Sequence, residues 1–210
     1  MDGIENYWGF VLAGIILNIT PGADTMYILT RSISQGRRAG IYSVLGITSG
    51  GLVHTILAAL GLSIILAKSA VAFNLVKYAG VAYLVYLGVK MIAEQNNLFD
   101  NKNQRIEHSD LFKIYRQGLF TNVLNPKVAL FFLSFLPQFI DVHYAHGPIP
   151  FLILGFTFMT TGTLWFLFLA HAASGITSVL RKNNKTGKMM QRLSGILFIG
   201  LGIKLLTNRR

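Results

Sequence analysis

Six apolar runs alternate with polar segments along the chain, and each run is 15 to 27 residues long. A membrane-spanning helix needs about 20 mostly apolar residues. The pattern therefore predicts six transmembrane helices, at residues 7–30, 41–67, 71–93, 117–140, 148–173 and 193–207. Between the third and fourth runs, the mixed-charge segment 94–116 predicts a linker exposed to solvent on the cytoplasmic side.

The two halves of the chain, 1–93 and 117–210, resemble each other. The run YLVYLGVKMI closes the first half and LFIGLGIKLL closes the second, and each half opens with an interrupted run, NITPG (18–22) and NVLNPK (122–127). Because each half has three spans, the second half must be inverted relative to the first. We therefore expect an all-α membrane domain of two inverted three-helix repeats with broken first helices, an arrangement typical of transporters.

Composition and charge agree with a membrane protein. Hydrophobic residues make up 52% of the chain and charged residues 13%, against about 25% charged in soluble domains. The net charge of +11 does not indicate a nucleic-acid partner, because 13 of the 19 basic residues lie on one side of the predicted spans. This bias predicts cytoplasmic loops on that side and both termini outside. If the first span did not cross, only the position of the N-terminus would change.

Thiol chemistry is excluded because the chain has no cysteine. Histidine and carboxylate residues show no spacing typical of a metal site, and no cofactor is expected. The N-terminal MDGIENYW lacks the basic residues of a secretory signal, so the first run is predicted to be retained as a span.

The interruption LNITPGADTMY, at 17–27, is unusual inside an apolar helix. A proline in a helix interior costs about 3 kcal/mol, and an aspartate near the bilayer centre adds roughly 2.5–3.5 kcal/mol. Broken backbone at membrane depth is tolerated where it is buried in protein or lines a cavity. Together with the second break, this predicts a substrate site with the candidate residues Asn18, Thr20, Pro21, Gly22, Asp24, Asn122, Asn125, Pro126 and Lys127.

Asp24 and Lys127 are the charged residues well inside the predicted spans, and their charges are opposite. In an inverted repeat the two breaks face each other, so we expect these residues to lie close, either as an ion pair or facing one ligand. A zwitterionic amino acid fits, with its ammonium group toward Asp24 and its carboxylate toward Lys127 or a helix N-terminus. The alternative is that the two charges only neutralise each other for insertion.

His54 lies in the middle of the second run and shares one helical face with Gly46 and Gly50. This small-residue face is predicted to contact another helix. Because histidine titrates near physiological pH, His54 and Asp24 are the candidate proton-coupling residues; a packing role for His54 is the alternative. His171, near the end of the fifth run, is expected to lie at the membrane interface.

Four motifs resemble the LysE/RhtB family of bacterial amino-acid exporters, and in particular its homoserine/threonine-resistance branch. They are N-x-T-P-G-A-D-T (18–25), R-S-x-x-Q-G-R-R-A-G (31–40), G-L-V-H-x-x-x-A-A-L-G (51–61) and G-L-F-T-N-V-L-N-P-K-x-A-L-F-F-x-x-F-L-P-Q-F (118–139). The resemblance implies a multi-pass transporter of the bacterial inner membrane that exports amino acids in exchange for protons and can form a homodimer. Small neutral amino acids such as threonine or homoserine are the expected substrates.

Other functions stay open at this stage. An exporter of other metabolites and a passive channel for small solutes both fit six apolar spans. An intramembrane protease fits poorly, because its serine form needs a G-x-S-G motif, which is absent, and its aspartyl form needs two membrane aspartates where the spans hold Asp24 alone. The chain is therefore predicted not to be an enzyme.

Overall fold

The computed structural model describes residues 3–62, 70–93, 110–141 and 147–182, together with single positions between 189 and 203. Its helices are α1 (Tyr7–Ile19), α2 (Ala23–Leu57), α3 (Ala70–Ala93), α4 (Leu111–Val123), α5 (Pro126–Leu130) and α6 (Ile149–Lys182). A π-helical turn, Ala58–Leu62, extends α2. A second π turn and a 3₁₀ turn, Phe131–Phe135 and Leu136–Phe139, extend α5. The described residues form no strand, and the predicted helical class is confirmed.

Both predicted breaks are present. Helix α1 ends at Ile19 and α2 begins at Ala23, so the intervening Thr20, Pro21 and Gly22 are not helical. In the second half, α4 ends at Val123, and the helical segment that begins at Pro126 is bent from it by 45°. Each break coincides with a proline, which cannot donate a backbone hydrogen bond to the preceding turn.

Helix α2 is a hairpin of two arms, 23–35 and 37–57, that meet at Gly36. Gly36 has φ 83° and ψ 176°, which is not helical. A Cβ at Gly118 would lie 3.3 Å from the ring of Tyr27 and 3.4 Å from the backbone nitrogen of Ile47. Twenty residues of straight helix extend about 30 Å, so Tyr27 and Ile47 can approach one site only if the chain reverses between them.

The reversal at Gly36 affects how spans are counted. By length and composition, Ala23–Leu62 and Ile149–Ala173 can cross a membrane, and the bent pair Leu111–Val123 and Pro126–Phe139 can form a third span. Because the 40-residue segment Ala23–Leu62 reverses at Gly36, it is two antiparallel arms rather than one span. The first arm directly follows the first break, and α1 before it is a shorter apolar helix. The six-span inverted repeat itself stays a prediction.

Several helix bounds differ from those predicted. Helix α4 begins at Leu111, so residues 111–116 are helical although the linker was expected to extend to residue 116. Arg31, expected in a loop, lies in the first arm of α2. Helix α6 continues to Lys182, beyond the predicted end at residue 173. Most of the predicted linker 94–116 and of the last span, 193–207, lies outside the described residues.

The glycine face of the second arm contacts α4, as predicted. A Cβ at Gly46 would collide with the backbone of Tyr115 and Leu119, and a Cβ at Gly50 would lie 2.7 Å from Asn122 side-chain atoms. These glycines therefore permit close helix packing.

Most buried apolar side chains in the described part of the chain form two clusters. The aromatic cluster is built mainly by α1, the segment 131–140 and α6, and its aromatic members are Phe10, Phe131, Phe132, Phe135, Phe139, Phe151 and Phe158. Phe131 and Phe158 stack with ring centroids 4.6 Å apart. The hairpin cluster joins the two arms of α2 to α6 and contains Ile28, Leu29, Val44, Ile47, Phe166, Leu169, Ala170 and Ala173.

The hairpin turn gives a direct stability prediction. Gly36→Ala should lower stability by about 1–3 kcal/mol, because an alanine at φ 83° and ψ 176° is strained. The midpoint of thermal unfolding in detergent should fall by roughly 3–10 °C. Gly61→Ala is the matched control, because a Cβ at either position meets no atom within 4 Å but only Gly36 has a positive φ. Equal midpoints for the two variants would contradict the strained turn.

Candidate functional site

A cavity of about 20 Å³ lies between the two helix breaks. Four predicted site residues line it, namely Asn18, Asp24, Asn122 and Lys127. Its remaining lining residues are Leu17, Ile47, Thr48, Gly51, Val128, Phe158, Met159, Gly162, Thr163 and Phe166. The volume is enough for one water molecule. The other predicted residues, which are Thr20, Pro21, Gly22, Asn125, Pro126 and His54, lie beside this lining rather than in it.

Lys127 is held at the C-terminal end of α1. Its ammonium group donates to the carbonyl oxygens of Leu17, at 3.1 Å, and Thr20, at 3.0 Å. A Cβ at Gly22 would lie 3.1 Å from Lys127 Nζ, so the absence of a side chain leaves room for this approach. A cation stabilises the free carbonyls and the negative dipole end of a helix C-terminus, which explains the geometry in physical terms.

Asp24 lies in the first turn of α2 and is 4% exposed. An anion there interacts favourably with the positive end of the helix dipole. Its Oδ2 accepts a 2.9 Å hydrogen bond from Asn122 Nδ2. Its Oδ1 is buried and has no hydrogen-bond partner among the described residues.

Asp24 and Lys127 face the same cavity and attract each other electrostatically. Lys127 is bonded to carbonyl oxygens and Asp24 to Asn122, and the two side chains form no direct hydrogen bond or ion pair with each other. Of the two arrangements expected from the sequence, the ion pair is absent, and the shared ligand stays a prediction.

The two breaks are tied together reciprocally. Lys127, at the start of α5, bonds the end of α1, while Asn122, at the end of α4, bonds Asp24 at the start of α2. The helix that follows each break is thus joined, at its start, to the end of the helix that precedes the other break: α5 to α1, and α2 to α4. These contacts hold the two breaks next to each other.

Asn125 and Asn18 hold helix ends in place. Asn125 Oδ1 accepts from the backbone nitrogen of Lys127 at 3.0 Å and caps α5, and the Asn125 side chain also stabilises the Asp24 carboxylate. Asn18 Nδ2 donates to Phe158 O at 3.4 Å and to Thr161 Oγ1 at 3.3 Å. It therefore links α1 to α6 at the edge of the cavity.

His54 is connected to Asp24 through Asn122. His54 Nε2 lies 3.1 Å from the carbonyl oxygen of Asn122, and since a carbonyl only accepts, Nε2 must hold the hydrogen. The ring stacks on Phe132 at a centroid distance of 5.6 Å. Asn122 therefore contacts both proposed proton-coupling residues, His54 and Asp24.

The sequence did not indicate the wall of the cavity formed by α6 and the second arm of α2. Five α6 residues, Phe158, Met159, Gly162, Thr163 and Phe166, lie there. Their spacing is that of one helical face, but they belong to a long apolar run with few polar residues. The clue in the sequence was the run T-T-G-T at 160–163, which interrupts the apolar residues. In the structure, Thr163 Oγ1 lies 2.9 Å from Thr48 Oγ1.

Gly50→Ala should disturb the site without changing a cavity residue. The new Cβ would lie 2.7 Å from Asn122 Cβ and Oδ1, so the Asn122 side chain must shift, which should disturb its hydrogen bond to Asp24. We expect transport to fall by about tenfold, the equivalent of one hydrogen bond to a charged group. Gly61→Ala, which meets open space, should transport normally; an active Gly50→Ala variant would show that the Asn122–Asp24 bond is dispensable.

Comparison with known proteins supports the resemblance. An uncharacterized membrane protein of Bacillus subtilis, YrhP, is 36% identical over 204 residues, which cover 93% of this chain and 95% of that protein. The leucine efflux protein of Salmonella typhimurium is 31% identical over 206 residues, covering 98% and 96% of the two chains. No solved structure matches the chain. Residues 15–209 match the family described as LysE type translocator. The chain therefore belongs to the LysE type translocator family and is a multi-pass membrane protein of transport and efflux.

Proposed function

We propose that this protein exports a neutral amino acid from the bacterial cytoplasm across the inner membrane, in exchange for protons. The observation that supports this most is the cavity between the breaks, which has one acidic and one basic side chain, Asp24 and Lys127, and an otherwise mainly apolar lining. The family and the leucine efflux protein of Salmonella typhimurium, 31% identical, support amino-acid export in general.

The charges suit the two ends of a zwitterion. Asp24 Oδ1 is buried without a complete hydrogen bond among the described residues. The Asn125 side chain stabilises the carboxylate, and Oδ1 can in addition accept from the α-ammonium group. Lys127 donates two hydrogens to Leu17 and Thr20, and an ammonium group has three, so one is free for the α-carboxylate. One acid and one base favour a substrate without net charge.

The apolar wall favours an aliphatic substrate side chain. Ile47, on the second arm of α2, and Met159 and Phe166, on α6, line the cavity away from the breaks. Leucine is therefore our first candidate substrate. Threonine and homoserine, expected from the resemblance, are the alternatives, and the hydroxyl pair Thr48–Thr163 is the feature that favours them.

The cavity must enlarge during transport. Ligand pockets usually measure about 300–1,000 Å³, far above the 20 Å³ found here. Phe158 belongs to the aromatic cluster and Phe166 to the hairpin cluster, and both line the cavity. We propose that these clusters close the site on its two sides and open alternately.

Uptake into inside-out membrane vesicles tests transport and coupling together. Energised vesicles containing the protein should accumulate labelled leucine, and an uncoupler should abolish the accumulation. A passive channel would instead equilibrate leucine without saturation and without an effect of the uncoupler. Failure to transport leucine, threonine or homoserine would refute the proposal and favour another metabolite.

His54 and Asp24 remain the proposed proton-coupling residues. His54→Gln keeps a side-chain hydrogen-bond donor toward Asn122 O but cannot titrate. If His54 transfers protons, this variant should lose uncoupler-sensitive accumulation by about tenfold while still equilibrating leucine. Normal accumulation would assign His54 a packing role, in keeping with its stack on Phe132.

A further inference from the structure

The cavity has two unlike walls. The broken helices supply Asn18, Asp24, Asn122 and Lys127, while α6 and the second arm of α2 supply mostly apolar residues. If the charged wall binds the α-ammonium and α-carboxylate groups, as proposed above, the substrate side chain must lie toward the second wall. The broken helices also supply two apolar lining residues, Leu17 and Val128, but most of the apolar lining belongs to α6 and the second arm of α2.

Met159 is one of the α6 residues that line the apolar wall of the cavity, called here the second wall. A Cβ at Gly51 would lie 3.2 Å from Met159 Cγ, so the methionine lies directly against the glycine backbone. Its sulfur lies 3.4 Å from Thr55 Oγ1, whose hydrogen is donated to Gly51 O at 2.9 Å. Methionine is unbranched and adapts its shape to its surroundings, so Met159 can move without disturbing the helix backbone.

Gly162 follows Met159 by one turn on the same wall. It lies between Phe158 and Phe166 along the helix, at positions i, i+4 and i+8. A Cβ at Gly162 would lie 3.1–3.3 Å from the side-chain amide of Asn18. A larger residue here would therefore narrow the space between α6 and the break.

We infer that Met159 and Gly162 form the subsite for the substrate side chain and set the size of the amino acid that is exported. This inference rests on the proposed function, since it assigns the second wall of the same site. Met159 limits the depth of the subsite, and the missing side chain at Gly162 supplies its width.

The test is the ratio of export rates for phenylalanine and alanine. Cells lacking their own exporters are loaded with dipeptides of both amino acids, and initial release is timed at equal protein levels. Met159→Ala should raise the phenylalanine-to-alanine ratio by about tenfold, and Gly162→Ala should lower it by a similar factor. The control is Thr160→Ala, which is exposed on α6 and bonded only to Phe156 O; its ratio should equal that of the wild type.

Opposite changes of the ratio in the two variants support the inference. A uniform loss for both amino acids, with the ratio unchanged, overturns it while leaving amino-acid export intact. A wild-type protein that releases neither these amino acids nor leucine refutes the proposed function itself. Met159→Val provides the same comparison with a smaller expected change if the alanine variant does not accumulate in the membrane.

Discussion

Asp24→Asn should reduce amino-acid export by about 30-fold or more, the equivalent of about 2 kcal/mol. Asparagine keeps the size of the side chain and can still accept the hydrogen bond from Asn122. It loses the negative charge that faces the cavity and the carboxylate oxygen that has no described partner. The substrate ammonium group would then be desolvated without a counter-charge. Release of free amino acids from dipeptide-loaded cells measures the effect.

Asp110→Asn is the matched control for this prediction. Asp110 is exposed, precedes α4 and makes no side-chain capping bond, so the same chemical change there should leave export unchanged. Normal export by Asp24→Asn at equal membrane levels would place the substrate elsewhere. Export would then stand, but the broken helices would not be its binding site.

Lys127→Met should abolish export and also destabilise the protein. Methionine keeps much of the aliphatic stem but removes the ammonium group, which leaves the carbonyls of Leu17 and Thr20 without their donor. It also leaves the buried Asp24 without a nearby positive charge. Loss of one partner of a buried charge pair costs about 3–5 kcal/mol, so the unfolding midpoint in detergent should fall by roughly 6–15 °C.

Lys113→Met makes the same change at an exposed position in the first turn of α4. Its midpoint and its export should match those of the wild type. A Lys127→Met variant with an unchanged midpoint would mean that the ammonium group does not stabilise the end of α1. Unchanged export would exclude Lys127 from substrate binding.

The sequence was sufficient to locate the two breaks, because proline removes a backbone donor wherever it interrupts a helix. It also indicated Asp24 and Lys127, whose side chains line one cavity, because a charged residue inside an apolar membrane segment is costly and is found where a partner or a function requires it. The face of Gly46 and Gly50 was predictable from spacing alone, and it contacts α4 as expected.

The contacts of those charges were not predictable. Asp24 and Lys127 could have formed an ion pair, and only the positions of the helix ends direct Lys127 to backbone carbonyls. The reversal at Gly36 likewise depends on a positive φ that a glycine permits but does not require. The early start of α4 was hidden because residues 111–116 mix apolar and basic side chains, which suit an amphipathic helix as well as a linker.

The second wall of the site was missed for a related reason. Met159 and Gly162 are ordinary residues of an apolar helix, and neither has a chemical feature that distinguishes a cavity position from a lipid-facing one. Only the packing of α6 against the breaks identifies them.

The double variant Asp24→Asn/Lys127→Met tests the central claim most directly, because it removes both charges and leaves neither uncompensated. If the two charges bind the transported amino acid, the double variant should accumulate in the membrane better than Lys127→Met, while dipeptide-loaded cells release amino acids no faster than cells with empty vector. Release at the wild-type rate would contradict the account, because it would show that Asp24 and Lys127 only neutralise each other within the membrane.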